Sequence, residues 1–335
     1  MNYIGSKYRL CDFIKTTIKD VAGNDLSNVV FCDMFAGTGI IGRSFKSEVR
    51  QVISNDCEYY SYVLNRNYIE NNTEIAGKEQ CIEKMNAILP TVKGIIYRNY
   101  CLGGGYGRQY FTDSNGKRID TIRQKIENWK RSGKINSNMY YFLLASLLAS
   151  ADKVANTASV YSAYLKNFKP VAQKELVLSP ANFTVNGNAH RVFNMDSNRL
   201  IRQIKGDILY LDPLYNARQY GANYHVLNTI ARYDNFIPKG KTGMREYTKS
   251  RYCSSTKVRI EFENLIKNAR FKYIFLSYSN EGIMTVENIQ NVMQRYGKYD
   301  FVMKDYKRYK SDRNENCTCK INCTKEYLHI LEKEM

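Results

Sequence analysis

The chain has 335 residues and a formal net charge of +18, because 50 lysine and arginine residues outnumber 32 aspartate and glutamate residues. Such an excess of positive charge favours a polyanionic partner. A hydrophobic fraction of 44% and a charged fraction of 24% exclude disordered and collagen-like chains, and the length fits two domains or one domain with a large insertion.

The first 70 residues have the pattern of a nucleotide-binding α/β fold. An apolar run at 29–35 ends in a glycine-rich turn at 37–39, after which apolar residues recur with helical spacing. A second apolar run at 51–54 precedes an amphipathic segment at about 58–70. This order predicts parallel strands joined by a crossover helix.

After this part the pattern becomes mostly helical, and strand-like runs return at 206–212 and 272–277. Two apolar runs near the C-terminus predict an antiparallel hairpin that closes the sheet. We therefore expect an α/β core with a mostly parallel sheet, formed by residues 1–70 and 190–335. A mostly helical insert at 71–189 interrupts this core.

The glycine turn limits the ligand that the core can bind. Gly37 and Gly39 fit the G-x-G-x-x-G pattern of dinucleotide sites, with Asp56 at the end of the next strand. Asp33 ends the preceding strand, where its charge would repel a pyrophosphate. S-adenosylmethionine fits better, because its ammonium and sulfonium groups are positive and Asp56 could accept its ribose hydroxyls. A tight turn in some other α/β fold is the alternative.

The segment Asp212-Pro213-Leu214-Tyr215 follows the apolar run 208–211, so it lies at the carboxyl end of a strand, where open α/β sheets bind ligands. Methylation of an exocyclic amine requires the nitrogen lone pair to leave conjugation with the ring. Asp212 and the Pro213 carbonyl could favour this by accepting the two amine hydrogens, and Tyr215 could stack on an extruded base. Asp-Pro after a strand is also a common turn, which alone would carry little weight.

Together these motifs resemble DNA adenine-N6 methyltransferases of the Dam-like class (alpha group), in which a cofactor half, a recognition insert and a catalytic tetrapeptide follow in this order. The resemblance covers nearly the whole chain, including the opening segment 2–7 and the segment 194–196. It implies a Rossmann-like S-adenosylmethionine-dependent methyltransferase fold, S-adenosylmethionine as cofactor, and Asp212, Pro213 and Tyr215 as catalytic residues. The cofactor-binding residues that it implies are Tyr3, Lys7, Asp33, Phe35, Gly37, Gly39, Asp56, Asp196 and Asp212.

One residue departs from the family pattern. The family tetrapeptide is Asp-Pro-Pro-Tyr, whereas Leu214 stands in third place here. Leucine adds a backbone N–H and, unlike a second proline, does not restrict the conformation of Pro213. We expect an active or weakened enzyme. The alternatives are a cofactor- and DNA-binding protein whose activity Leu214 has impaired, an RNA or cytosine amine methyltransferase, and, least of all, a dehydrogenase.

Two basic stretches, at 103–131 and 239–252, are candidates for contact with double-stranded DNA, because they combine cations that bind phosphate with polar groups that reach base edges. A solvated basic face explains the first stretch equally well. Residues 216–225 resemble the helix-opening segment of a restriction-associated subset of the family, in which His225 fits a core histidine better than a catalytic one. The candidate DNA-binding residues are Arg108, Gln109, Lys117, Arg118, Arg218, Gln219, Tyr220, Lys241 and Arg245.

Other features predict a cytoplasmic protein without a metal. The longest apolar stretch is too short for a membrane span, and the start of the chain lacks a signal-peptide core. Cys317, Cys319 and Cys323 with His329 match no standard zinc arrangement, which favours a cysteine-rich hairpin loop. We expect no membrane partner, a monomer rather than an oligomer, and any cognate restriction endonuclease to act as a separate protein.

Overall fold

Seven strands form one mixed sheet in the computed structural model, which describes residues 7–214, 216, 219–307 and 323–334. The strands are β1 (Val30–Asp33), β2 (Gln51–Asn55), β3 (Arg191–Phe193), β4 (Gly206–Leu211), β5 (Phe271–Ser279), β6 (Gly297–Lys307) and β7 (Cys323–Lys333). Their order is β3-β2-β1-β4-β5-β7-β6. The neighbours from β3 to β5 are parallel, and β7 is antiparallel to both β5 and β6.

Helices make up much of the rest of the described chain. The α-helices are α1 (Cys11–Ala22), α2 (Ile40–Phe45), α3 (Tyr59–Asn65), α4 (Lys78–Asn86), α5 (Ile95–Tyr100), α6 (Asp113–Arg131), α7 (Ser137–Lys153), α8 (Ser197–Leu200), α9 (Tyr220–Asn223), α10 (His225–Arg232), α11 (Val258–Asn268) and α12 (Val286–Met293). Short 3₁₀ turns cover Lys7–Leu10, Leu102–Gly104, Pro170–Gln173 and Arg251–Cys253, and a π-helical turn covers Arg66–Glu70. None of the described helices is long and apolar enough to cross a membrane.

The strand order creates a crevice at the centre of the sheet. From β1 the chain first builds β2 and β3 on one side and then returns to build β4 and β5 on the other. Open α/β sheets bind ligands where the order reverses in this way, outside the carboxyl ends of the strands. Asp33 ends β1 and pairs with Tyr210 of β4, so Asp33 and Asp212 follow neighbouring strands at this edge. The predicted α/β fold, with a mostly parallel sheet and a closing hairpin, is confirmed.

The chain divides into two compact units. The sheet unit contains the described residues within 6–57, 186–219 and 249–335, and the helical unit contains residues 58–185 and 220–248. The helical unit therefore starts before the insert predicted from the sequence, and it also includes a second segment that follows the tetrapeptide.

Packing explains the composition of the helical unit. Tyr60 and Val63 of α3, and Val226 and Ile230 of α10, are fully buried in the same hydrophobic cluster as Leu147 of α7. Because burial of these side chains depends on contacts far along the chain, the local pattern did not separate α3 and α10 from the sheet-forming segments beside them.

Candidate active site

The turn after β1 is fixed by the end of β2. Gly37 and Gly39 have φ angles of 52° and 75°, in the left-handed region that favours glycine. The Gly37 N–H donates a hydrogen bond to Asp56 Oδ2 at 2.8 Å. The Ala36 N–H donates to the Asn55 carbonyl oxygen at 2.9 Å. These bonds hold the glycine turn beside the carboxyl ends of β1 and β2.

Asp33 is the most unusual group at this edge, being only 1% exposed. Its Oδ2 accepts a hydrogen bond from the Gly42 N–H at 3.1 Å, whereas its Oδ1 is buried with no hydrogen-bond partner among the described residues. Burial raises the pKa of Asp33 to about 8, repulsion by Asp212 and Asp56 adds to the shift, and the Gly42 N–H opposes it. A buried carboxyl oxygen without a partner is costly, so the group fits a ligand that brings positive charge.

Asn55 connects the loops that follow β1 and β3. Its Nδ2 donates to the carbonyl oxygens of Met34 at 3.2 Å and Met195 at 3.1 Å, and its Oδ1 accepts the Met195 N–H at 3.1 Å. Asp196, a predicted cofactor residue, is exposed and accepts the Arg199 N–H at 3.0 Å as the N-cap of α8. The Asp196 carboxylate therefore caps α8, and the hydrogen bonds of Asn55 hold the neighbouring loops in place.

An aromatic pair lies in the sheet unit. The ring of Phe35 meets the ring of Tyr252 edge to face, with 5.1 Å between their centroids. Tyr252 is buried, and its hydroxyl donates to Asn198 Oδ1 at 2.7 Å. The sequence analysis assigned residue 252 to a basic stretch that is a candidate for DNA contact. The pattern of charges there gives no sign that the Tyr252 ring packs against Phe35.

Asp212 follows β4 directly, and its side chain is 18% exposed. Lys7 Nζ lies 3.2 Å from Asp212 Oδ1, and the Lys7 side chain is buried. Burial raises the pKa of Asp212 to about 6, with Lys7 lowering it and the negative charge of Glu326 raising it. Asp212 is therefore predominantly a carboxylate at neutral pH, and an ionised carboxylate is a strong acceptor for amine hydrogens.

The rest of the tetrapeptide is described in part. Pro213 is buried and Leu214 is half-buried immediately after Asp212. Three predicted site residues, Tyr3, Tyr215 and Arg218, lie outside the described residues.

Arg108, a predicted DNA-binding residue, lies inside the helical unit and is only 5% exposed. Its guanidinium donates to the carbonyl oxygens of Asn99 at 2.9 Å and of Gly240 and Lys241 at 3.1 Å each. Two backbone hydrogen bonds of 2.8 Å close the turn at 239–244 that contains two of these acceptors. The buried Arg108 side chain therefore stabilises the backbone of this turn. This role differs from the predicted contact of Arg108 with DNA phosphate.

Two other predicted arginines are also engaged with the protein. Arg118 is 6% exposed, donates to the Asn86 carbonyl oxygen at 2.8 Å and lies 3.2 Å from a Glu175 carboxylate oxygen. Arg245 donates to both carboxylate oxygens of Asp234 at 2.8 and 2.9 Å. Of the remaining candidates, Gln109, Lys117, Gln219 and Tyr220 are half-buried, and Lys241 is exposed.

The histidines singled out in the sequence belong to packed regions. His225 is fully buried, and its Nε2 lies 2.8 Å from a backbone carbonyl oxygen. Burial lowers the pKa of His225 to about 4, which keeps the ring neutral. His329 is buried, with Nδ1 2.8 Å from the Tyr299 hydroxyl. Side chains of the cysteine cluster at 317–323 lie outside the described part of the chain, and within that part no group of three or more potential ligands is arranged to hold a metal.

The site geometry agrees with a comparison of the whole chain with known families. A family model of the D12 class N6 adenine-specific DNA methyltransferases matches residues 3–292. The chain belongs to this family. It is an adenine-specific DNA methyltransferase, its methyl donor is S-adenosylmethionine, and its substrate is double-stranded DNA. The identity predicted from the motifs is confirmed.

Curated relatives agree with this assignment. The type II methyltransferase M.NlaIII of Neisseria lactamica is 58% identical over 333 residues and aligns over 99% of each chain. The type II methyltransferase M.CviAII of Paramecium bursaria Chlorella virus 1 is 37% identical over 93% of each chain. M.FokI of Planomicrobium okeanokoites, also a type II methyltransferase, is 37% identical over 100% of this chain and 53% of its own length. The chain is thus similar to enzymes of the restriction-modification type.

Proposed function

We propose that S-adenosylmethionine binds at the carboxyl ends of β1, β2 and β4, with its positive groups near Asp33 and Asp212 and its ribose near Asp56. The observation that carries this proposal is the buried Asp33 Oδ1, which has no partner among the described residues. A ligand ammonium group would supply the missing donor and would stabilise the ionised carboxylate. The left-handed Gly37 and Gly39 carry no Cβ, so at these two positions the backbone of the turn can approach a ligand closely.

In this proposal Asp212 and Pro213 hold the adenine amine. S-adenosylmethionine supplies a methyl group that its positive sulfur already activates. The ionised Asp212 accepts one amine hydrogen and the Pro213 carbonyl accepts the other, which draws the nitrogen lone pair out of conjugation with the ring. As the nitrogen bonds to the methyl carbon, the bond from that carbon to sulfur breaks and a neutral thioether leaves. The nitrogen then loses one proton, which the Asp212 carboxylate can accept. Tyr215 stacks on the flipped base, and this contact of about 1–3 kcal/mol offsets part of the cost of unstacking it.

The helical unit is proposed to contact the DNA. Its turn at 239–244 exposes Lys241 while Arg108 fixes the backbone from the buried side. A rigid turn with an exposed cation suits a phosphate contact, because little conformational freedom is lost on binding. The net charge of +18 predicts that DNA affinity falls steeply as salt concentration rises.

The relatives support a biological role as well. Similarity to type II methyltransferases over 99% of the chain supports methylation of host DNA at a specific sequence, which protects it from a separate restriction endonuclease. We propose that the methyltransferase acts as a monomer, since a flipped adenine and one cofactor require a single copy of the site.

The proposal is tested by incorporation of labelled methyl groups into adenine-containing double-stranded DNA, followed by single-molecule sequencing of the product. Asp212→Ala, which removes both acceptor oxygens, should lower incorporation about 10²–10³-fold while leaving DNA binding intact. Asp20→Ala, at an exposed position of α1, is the matched control and should behave as the wild type. Full activity of Asp212→Ala would exclude Asp212 as the amine acceptor.

A further inference from the structure

A buried ion-pair network lies next to the tetrapeptide. Lys7 Nζ lies 2.6 Å from Glu326 Oε1 and 3.2 Å from Asp212 Oδ1, so one ammonium group joins two carboxylates. The Ser277 hydroxyl donates to the same Glu326 oxygen at 2.8 Å. Lys7, Glu326 and Ser277 are each no more than 5% exposed. Burying charged groups in this way costs desolvation free energy unless each group has an ion-pair or hydrogen-bond partner.

The fold explains how Glu326 reaches this position. It lies near the start of β7 and pairs with Ser279 at the carboxyl end of β5. Because β7 runs antiparallel to β5, its beginning lies at the edge of the sheet where β1 and β4 end. Glu326 also follows the last residue matched by the family model, which is residue 292.

The network has a consequence for charge. At neutral pH the ammonium of Lys7 lies between two carboxylates, so the three groups together carry one net negative charge. Without Glu326, Lys7 and Asp212 would cancel each other. A neutral site beside the tetrapeptide would lack this net negative charge and would not attract a ligand with a positive sulfur.

We propose that Glu326 is a positioning residue, which holds the Lys7 ammonium beside Asp212 and cancels its charge so that the site prefers a positive sulfonium over a neutral thioether. This inference rests on the proposed cofactor site. It makes the last strand of the sheet, far in sequence from the cofactor motifs, part of the discrimination between S-adenosylmethionine and its product.

The experiment compares Glu326→Gln with the wild type by calorimetric binding of S-adenosylmethionine and of S-adenosylhomocysteine, whose sulfur is neutral. Glutamine keeps the size and an oxygen that can accept from Lys7 and Ser277. We expect the affinity for S-adenosylmethionine to fall about tenfold, the order of magnitude for removing one nearby unit charge at the effective dielectric constant of proteins. The affinity for S-adenosylhomocysteine should change less than about twofold.

Two controls make the result specific. Glu332→Gln makes the same change on the same strand, at a side chain that is 48% exposed, and should alter neither affinity. Glu326→Asp keeps the charge and should keep the preference for S-adenosylmethionine. If Glu326→Gln did not fold, loss of this preference in Glu326→Asp would overturn the proposal.

The pH profile of methyl transfer gives a second test. Among the described residues, the titratable groups that interact with Asp212 are Lys7, Glu326, Asp33 and Tyr210. The negative charge of Glu326 raises the pKa of Asp212, so Glu326→Gln should lower that pKa and move the acid limb of kcat/KM to lower pH. A merely structural defect would reduce activity without moving the limb in this direction.

Each outcome has a distinct meaning. Equal weakening of both ligands, or no change in either, would overturn the role of Glu326. If Asp33→Asn bound S-adenosylmethionine as tightly as the wild type, the proposed cofactor site itself would be wrong. Loss of binding in Asp33→Asn together with an unchanged preference in Glu326→Gln would reject only the inference about Glu326.

Discussion

Replacement of Asp33 by asparagine should stabilise the cofactor-free protein against rising pH and weaken cofactor binding. The pKa of Asp33 is raised from 3.8 to about 8, chiefly by burial. A carboxyl group with a raised pKa contributes stability that is fully present below its ordinary pKa and is lost as the pH rises through the folded value. The wild type should therefore lose about 1.4 kcal/mol of unfolding free energy per pH unit between about pH 4 and 8 from this group, and Asp33→Asn should not.

The same shift predicts how cofactor binding depends on pH. A ligand ammonium group binds the ionised carboxylate, yet Asp33 is mostly protonated below pH 8 in the free protein. Binding should therefore release about one proton, and affinity should rise about tenfold per pH unit as the pH approaches 8. The pH dependence of affinity is best measured between about pH 6.5 and 7.5, above the pKa of Asp212 and below that of a free α-amino group.

Calorimetric titrations in two buffers with different ionisation enthalpies measure the released protons directly, and urea unfolding at several pH values measures the stability. Asp33→Asn should bind more weakly, release no proton in this window and show a smaller pH dependence of unfolding. If wild type and Asp33→Asn shared the same pH slope of affinity and stability, the reasoning from the buried carboxyl group would be refuted.

Three further predictions concern the tetrapeptide and the helical unit. Asp212→Ala should lower the rate of methyl transfer about 10²–10³-fold and change calorimetric cofactor affinity far less; a comparable loss of affinity would contradict the amine-acceptor role. Leu214→Pro should raise kcat about two- to fivefold by restricting Pro213, and an unchanged or lower kcat would contradict this. Arg108→Gln should lower the free energy of unfolding in urea by about 1–3 kcal/mol and increase methylation at sites that differ slightly from the target sequence. If the variant still discriminated between these sites as the wild type does, Arg108 would have no role in DNA recognition.

The sheet and the two strands that lead to Asp33 and Asp212 were predictable because β1 and β4 are apolar runs buried along most of their length. Once these runs are read as parallel strands, Asp33 and Asp212 must follow neighbouring carboxyl ends. The strand β3 was not predicted, since it has three residues and begins with the exposed Arg191. A strand this short gives too little alternation to recognise.

Other parts of the site depend on contacts that no local pattern contains. Lys7 and Glu326 are 319 residues apart in the chain, and nothing in either neighbourhood indicates that they pair. Arg108 stands in a basic, glycine-rich stretch that is typical of a DNA-binding surface. Its acceptors are backbone carbonyl oxygens, which carry no residue-type signal, so its burial could only be seen in three dimensions.

The division of the helical unit into 58–185 and 220–248 limits how this enzyme can be recombined. A chimera that exchanged only the longer segment for that of a relative would leave α10 from one parent against α3 and α7 from the other. The fully buried Val226, Leu227 and Ile230 would then meet a foreign core. The helical unit is therefore not one continuous, interchangeable segment, and both parts must be transplanted together if the chimera is to fold.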